Sequence, residues 1–348
     1  HATTFRALLR GLLELGRRVL FLERDVPWYA AHRDLPHPDF CTLTYYRSAE
    51  ELISTYAETM RSADAVVVGS YVPDGVAVID ELRKLHLPQL CFYDIDTPVT
   101  LARLSRGDEE YLAVRQIPDF DIYFSFSGGR VLDTLERQFG AKRAEALYCS
   151  VDPERYRNTG EALTWDLGYL GTYSPDRQPT LERLLIEPAR RLPDRKFVVA
   201  GPQYPADMDW PDNVERIEHL PPADHASFYS RQRYTLNVTR ADMRAAGWSP
   251  SVRLFEAAAC RTAVITDCWE GLEELLPDGI AAIFAENADD VLRVLESDTQ
   301  FDRRRMADEA YSIVMHGHTG RARAMQLMSA LTASERPASN NFRQIVSA

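Results

Sequence analysis

Lysine is scarce in this 348-residue chain, confined to Lys84, Lys142 and Lys196, so its positive charge is almost wholly arginine. Positive charge is itself in deficit, with 40 Lys plus Arg against 52 Asp plus Glu and a formal net charge of -12. That balance offers no long-range attraction to nucleic acid or to an anionic membrane, so basic residues serving an anionic ligand must act locally. No apolar run approaches the length of a membrane span. Cysteine comes to Cys41, Cys91, Cys149, Cys260 and Cys268, an odd number, widely spaced and set in apolar surroundings. The pattern excludes a disulfide framework and suggests the reduced thiols of a cytoplasmic protein. There is no C-x-x-C pair or Cys/His cluster of the zinc type. No signal-peptide pattern is present, and the chain opens at His1 directly on a helical pattern, from which we expect a strand and loop to precede it.

What is present is the make-up of a soluble globular protein, 45% hydrophobic and 26% charged, long enough for two compact domains. From Thr3 the apolar positions Phe5, Leu8, Leu9, Leu12, Leu13 and Leu15 keep helical spacing, Gly16 stops the helix, and Val19 to Leu22 read as a strand. The alternation continues with helices near 48–62 and 75–85, strands at 65–69, 89–94 and 122–125, a helix at 129–139 and a strand at 144–149. Short apolar strands alternating with helices predict a parallel sheet covered on both faces. Residues 1–152 thus form an N-terminal Rossmann-like domain, and 153–166, with little periodicity, read as a linker.

A second α/β domain is expected over 167–333. Its strands fall at 167–171, 196–201, 214–217, 234–237, 263–266 and 281–284, with helices at 179–192, 223–231, 289–295 and from 302 onward. The remainder, 334–348, reads as a polar tail whose beginning is disordered. Two doubly wound domains in sequence predict a cleft at the carboxyl ends of their strands, where ligands of open α/β sheets bind.

The stretch GWSPSVRLFEAAACRTAVIT, Gly247 to Thr266, organises the second half. Gly247, Ser249 and Pro250 make an irregular loop, Ser251 caps a helix, and a buried strand follows. Free amides and the positive dipole end at Ser251 and Val252 suit a diphosphate, with Arg253 adding charge in the first turn. Glu256, one turn further in, has the reach to accept hydrogen bonds from the vicinal hydroxyls of a pentose. An ordinary capped helix with a solvated Arg and Glu is the plain alternative.

With these segments in view, LGYLGTYSPDRQ, FVVAGPQYP, ERIEHLPPADHASFYSRQRYTLNVTR and SPSVRLFEAAACRTAVITDCWEGLEELLPDGIAAIF resemble the C-terminal domain of GT-B glycosyltransferases. HATTFRALLRGL and FYDIDTPVTL resemble the N-terminal half of the group named after the spore maturation protein CgeB. The resemblance implies a GT-B fold, two Rossmann-like domains facing each other across a cleft. It also implies transfer of a sugar from a nucleoside diphosphate sugar, UDP being the first choice, to an unidentified acceptor, without a separate cofactor.

On this resemblance Glu256 matches the second glutamate of the retaining two-glutamate signature, while the first falls on Trp248, a departure from the pattern. Gly171, Thr172, Tyr173 and Arg177 match the loop that touches the diphosphate, His219 and Leu220 the turn that reads the base, and Arg240 a phosphate contact, with a surface pair to Asp242 as its alternative. Ser249 lies in the loop leading to the capped helix.

Transfer also needs a base for the acceptor hydroxyl or amine. The resemblance points to His1, at the head of a helix facing the cleft, and a tag remnant or a cap is its other reading. Asp96, with Asp94 at the end of a strand of the first sheet, is the second catalytic candidate. Their D-x-D spacing invites a divalent ion, but arginines and amides are the expected counter-charge, so no metal is assigned. The histidines His225, His316 and His318 read as surface or packing residues, and Trp28, Tyr29, Tyr45, Tyr46 and Tyr71 as core or acceptor-pocket aromatics. Competing readings are a GT-B epimerase, a phosphorylase, disfavoured by the want of a lysine in a suitable motif, and a non-catalytic binding or coat-assembly protein that kept the fold.

Overall fold

The computed structural model describes residues 2–30, 33, 35–333 and 344–347, and the chain divides into two compact units, His1–Tyr148 with Gly320–Ala348, and Cys149–Thr319. In the first unit lie β1 (Arg18–Arg24), β2 (Thr42–Tyr46), β3 (Ala65–Gly69), β4 (Leu90–Asp94), β5 (Ile122–Ser125) and β6 (Ala144–Ala146). They form one parallel sheet with the strand Gln344–Ser347, in the order β2, β1, Gln344–Ser347, β3, β4, β5, β6. Every residue of β3 and β4 is buried, the expected result for apolar strands in a parallel sheet covered on both faces.

The C-terminal residues depart from the sequence reading of a polar tail. Gln344–Ser347 pairs with Arg18–Phe21 on one side and Ala65–Val67 on the other, so backbone groups at the centre of the sheet are matched rather than left open.

The boundary of the second domain also moves. The Gly320–Ala333 helix belongs to the first unit because it lies along the Ala2–Glu14 helix, sharing a core that includes Leu8, Leu12, Leu327 and Leu331. Glycines permit the approach: a Cβ on Gly11 would sit 2.4 Å from the Gly320 carbonyl oxygen, and one on Gly320 2.0 Å from that of Ala7. Nor is 153–166 a free linker. Asn158 Nδ2 donates to the Cys260 carbonyl at 3.0 Å and the Thr159 amide to Ser230 Oγ at 3.1 Å, which ties the stretch to the second unit.

The second unit holds β7 (Trp165–Leu170), β8 (Phe197–Ala200), β9 (Val214–Ile217), β10 (Gln232–Asn237), β11 (Ala263–Thr266) and β12 (Ile283–Phe284). They make a parallel sheet in the order β12, β11, β10, β7, β8, β9. The strand order turns back beside β7 and β10, so the loops after these two strands flank the switch point where open α/β sheets take ligands. The expected helix 179–192 is continuous from Gln178 to Arg191 but widens to a π stretch at Glu182–Ile186, just ahead of Pro188, whose missing N–H cannot serve a regular turn.

Candidate functional site

Beside the switch point of the second unit the ends of β7 and β8 meet backbone to backbone. The Gly171 amide donates to the Ala200 carbonyl at 2.8 Å, and its own carbonyl accepts from Tyr204 Oη at 3.1 Å. A Cβ on Gly171 would lie 2.4 Å from Tyr169 Oη, and one on Gly201, whose φ is +139°, only 2.1 Å from the Gly171 carbonyl oxygen. Nothing larger than glycine fits either position. The Tyr173 amide donates to the Pro202 carbonyl at 3.0 Å, which completes the tie between the loops after β7 and β8.

Arg177 closes the loop after β7. Its Nη2 donates to the Thr172 carbonyl at 2.7 Å, it is buried, and its Nε has no partner among the described residues. Burial first, and then the nearby charges of Arg253 and Arg240, hold its proton affinity below the ordinary arginine value, against the opposite pull of Tyr169. Three guanidiniums therefore share one neighbourhood. Asp176 helps to bring them there, because its carboxylate accepts from the Ala241 amide at 3.0 Å and so pins the start of the Ala241–Ala246 helix, where Arg240 stands exposed at the cap position, to the loop of Arg177.

The third arginine comes from the central stretch. Gly247 has φ +70° and Trp248 φ +41°, and the Trp248 amide donates to the Glu270 carbonyl at 2.7 Å. The Trp248 indole turns to Glu274, with Nε1 at 3.1 Å from Oε2, and leans on Gly271. Ser249 is buried with its hydroxyl on the Gly247 carbonyl at 2.8 Å. Ser251 then caps the Val252–Ala259 helix, its Oγ accepting from the Arg253 amide at 3.3 Å. Val252 and Arg253 are half-buried at this helix start.

Glu256 points inward. It is 5% exposed, and Tyr229 Oη donates to its Oε2 at 3.3 Å. Tyr156 also lies against this carboxylate: burial, followed by the Glu256 charge, suppresses ionisation of its hydroxyl. Tyr156 Oη sits 3.3 Å from His225 Nδ1, and the His225 ring is bonded to the backbone of Leu220. Burial lowers the proton affinity of His225, with Glu256 opposing. One connected set thus runs from the turn of His219, which is exposed, and Leu220 to the buried Glu256.

In the first unit Asp94 is fully buried and committed to the fold. It accepts from Tyr123 Oη at 2.7 Å, Thr100 Oγ1 at 2.9 Å and the Asp96 amide at 3.1 Å, while burial pushes its carboxyl up to about 6. Asp96, 8% exposed at the start of the Thr97–Leu104 helix, accepts from Tyr71 Oη at 3.0 Å. The two carboxylates serve different partners, and no group of three His, Cys, Asp or Glu placed to hold a metal occurs among the described residues. His1, the side chains of Trp28 and Tyr29, and most of the tail lie outside the described residues.

Residues 177–329 match a family described as glycosyl transferase-like. No curated protein matches the chain. Solved structures similar to it include HepE from Anabaena in complex with UDP-glucose, at 13% identity over 91% of this chain and 99% of that one, with a TM-score of 0.63. Sucrose-phosphate synthase from Thermosynechococcus elongatus is similar at 15% identity over 95% and 93%, with a TM-score of 0.66. A glycosyltransferase from Rickettsia africae is similar at 10% identity over 97% and 95%, with a TM-score of 0.68. The fold is GT-B.

Within this GT-B chain, Gly171, Thr172, Tyr173, Arg177, Arg240, Ser249, Ser251, Val252, Arg253 and Glu256 all sit on loops after β7 and β10 or on the helix that follows, and His219 and Leu220 on the turn after β9. The partners of Glu256 escaped sequence reasoning, because Tyr156 and Tyr229 lie far from it in the chain and His225 read as a packing residue. Asp267 was missed as well. Thr239 donates to its Oδ1 through the backbone at 3.1 Å and the hydroxyl at 2.9 Å, Arg244 Nε stands 3.6 Å from Oδ2, and burial pushes the carboxyl up to about 6. Its place directly after β11, at the carboxyl edge of the sheet, was the available signal.

Proposed function

We propose that this protein is a glycosyltransferase that moves a sugar, a hexose in the first instance, from a nucleoside diphosphate sugar to a hydroxyl-bearing acceptor. The observation that carries this reading is that the charges of Arg240 and Arg253 both bear on the buried Arg177, Arg253 standing in the first turn of the capped Val252–Ala259 helix with a buried carboxylate one turn behind. In an acidic chain such a cluster stabilises a diphosphate both when bound and when leaving. Glu256, oriented by Tyr229, takes the pentose hydroxyls, and the turn of His219 and Leu220 takes the base. The arginines do the work a metal ion would do, so the reaction runs without one. UDP is the donor nucleotide we favour, since HepE, similar in fold, is described in complex with UDP-glucose.

In the transfer, the acceptor oxygen forms a bond to the anomeric carbon. The bond from that carbon to the diphosphate breaks, its electron pair leaves with the diphosphate, and the hydroxyl proton passes to a base. Asp96 is that base in our reading, with His1 kept as the alternative from the sequence. The five free thiols support a reducing, cytoplasmic setting, and the likeness to the CgeB group, carried by the segments quoted above, belongs to the same proposal.

One observation favours a second reading, a GT-B protein that binds the sugar nucleotide without catalysis: Trp248 stands where the first signature glutamate would, bound to Glu274. Calorimetry with UDP, GDP, ADP and TDP, followed by release of free sugar or transfer product from the corresponding nucleotide sugars, separates the readings. Binding with turnover to a glycoside supports the transferase, binding with sugar interconversion an epimerase, and binding without turnover the non-catalytic protein. No binding to any of the four nucleotides overturns the donor site itself.

A further inference from the structure

The strand order sets the loop after β10 between two others, because β10 lies between β11 and β7 in the sheet of the second unit. β10 and β11 end in register, Asn237 opposite Thr266, so Thr239 and Asp267 leave the sheet on neighbouring strands. The Thr239 amide and hydroxyl both donate to Asp267 Oδ1, at 3.1 and 2.9 Å. From the other side Asp176, in the loop after β7, accepts from the Ala241 amide at 3.0 Å through Oδ2. The residue between these two anchored amides is Arg240. Resting on the donor-site reading, we propose that Asp267 and Asp176 are positioning residues: by holding the peptide groups on either side of Arg240, they fix the direction in which its side chain leaves the backbone and so keep its guanidinium poised for the diphosphate.

Little else seats that residue. Arg240, at φ -60° and ψ 147°, opens a helix of six residues, Ala241–Ala246, none of which is buried. A helix so short is not stable by itself, and without a buried face packing does not place it. The mount on the β11 side is rigid by contrast. Asp267 is 2% exposed, and Asn237 Nδ2 cross-braces the two strand ends, donating to Thr239 Oγ1 at 3.2 Å and to Thr266 Oγ1 at 3.0 Å. Arg244, one turn along the helix, has its Nε 3.6 Å from Asp267 Oδ2, which leads the next turn back to the same carboxylate. An exposed arginine has both backbone and rotamer freedom to lose when an anion binds, and the two carboxylates remove the backbone share beforehand.

Loss of either negative charge by itself favours an anion, so the asparagine variants, which keep an oxygen for the amide, are the reference for the alanine ones. In calorimetry near pH 8, Asp267→Ala should bind UDP about fivefold more weakly than Asp267→Asn, and Asp176→Ala about fivefold more weakly than Asp176→Asn. That is the low end of the cost of ordering one residue's backbone, since the other tie remains. Uridine, which has no phosphate, should bind all four alike. In an Arg240→Met background, itself weaker for UDP, the difference between alanine and asparagine should vanish. The exposed Asp176 supplies the same comparison if Asp267→Ala does not fold. Alanine and asparagine variants of equal UDP affinity overturn the proposal. So does an equal loss for uridine, which a merely structural role would give, or a difference that survives in Arg240→Met. In each of these cases a parent that binds UDP keeps its donor site, whereas a parent that binds no nucleotide removes the donor site and this proposal with it.

Discussion

Glu256→Gln tests the donor site most directly. Replacement by alanine would confound the result, because the buried hydroxyl of Tyr229 would lose its acceptor and a cavity would open beneath the helix. Glutamine keeps the volume and one accepting oxygen for Tyr229 while removing the charge. If the carboxylate grips both pentose hydroxyls, the exchange forfeits a charged hydrogen bond, about 1.5–3 kcal/mol, or roughly 10- to 150-fold in UDP affinity. Inorganic pyrophosphate, which meets the arginines and the helix amides but has no pentose, should bind the variant as it binds the parent. Because a neutral amide is easier to bury than a carboxylate, the melting temperature should hold or rise. Calorimetry with UDP and with pyrophosphate, beside a thermal melt, decides the matter. UDP affinity within threefold of the parent in a variant that melts normally would refute the assignment of Glu256 to the pentose.

Further outcomes follow from the same geometry. Gly171→Ala should cost about 1–3 kcal/mol by overpacking against Tyr169, whereas Gly317→Ala, with no heavy atom within 4 Å of the added carbon, should cost nothing measurable in the same urea unfolding series. Arg177→Met should leave the free protein no less stable, since it removes a buried guanidinium crowded by two others, yet cut the UDP-induced rise in melting temperature by more than half; an unchanged rise would take Arg177 out of the site. Asp267 titrates at about 6 because burial disfavours its charge, so the folded state favours its protonated form and the stability this supplies at low pH is lost as pH rises through 6. Asp267→Asn should therefore match the parent near pH 4 and exceed it by about 1–3 kcal/mol near pH 8, the raised value standing net of the attraction of Arg244; equal stabilities at both values would contradict the sign.

The fold was legible where the hydrophobic period was strong. Runs such as AVVVG and LCFYD became fully buried strands, and β7 to β11 fell close to the segments expected of them. What the sequence did not disclose was order in space. Thr42–Tyr46 is a strand at the edge of the sheet, half-exposed and without clean alternation, and Thr97–Leu104 opens on Thr-Pro directly after a strand, so neither stands out by period. The return of Gly320–Ala333 to the first unit rests on two glycines far apart in the chain, Gly11 and Gly320, meeting backbone to backbone, a contact that no local pattern encodes.

At the site the same division holds. Local features that announce themselves by context, such as the serine cap at Ser251 and the glycine that ends a strand at Gly171, take the conformations their sequence predicts. Partners distant in the chain were not legible, because Tyr229 and Glu256 meet across 27 positions of chain, and Tyr71 and Asp96 across 25. The D-x-D pair shows why spacing alone misleads: two residues apart at a strand end, Asp94 is consumed by three donors from the fold while Asp96 answers to Tyr71. A shared ion would compete with Tyr123 and Thr100 for Asp94 inside a buried core; Thr100 keeps the Tyr111 hydroxyl at 2.8 Å, but loss of the Tyr123 bond would cost about 1–3 kcal/mol. Asp94, held by donors from the fold inside the core, is thereby set aside as a proton acceptor for a substrate, and the base in our proposal stays with Asp96 on its position at the head of the Thr97–Leu104 helix.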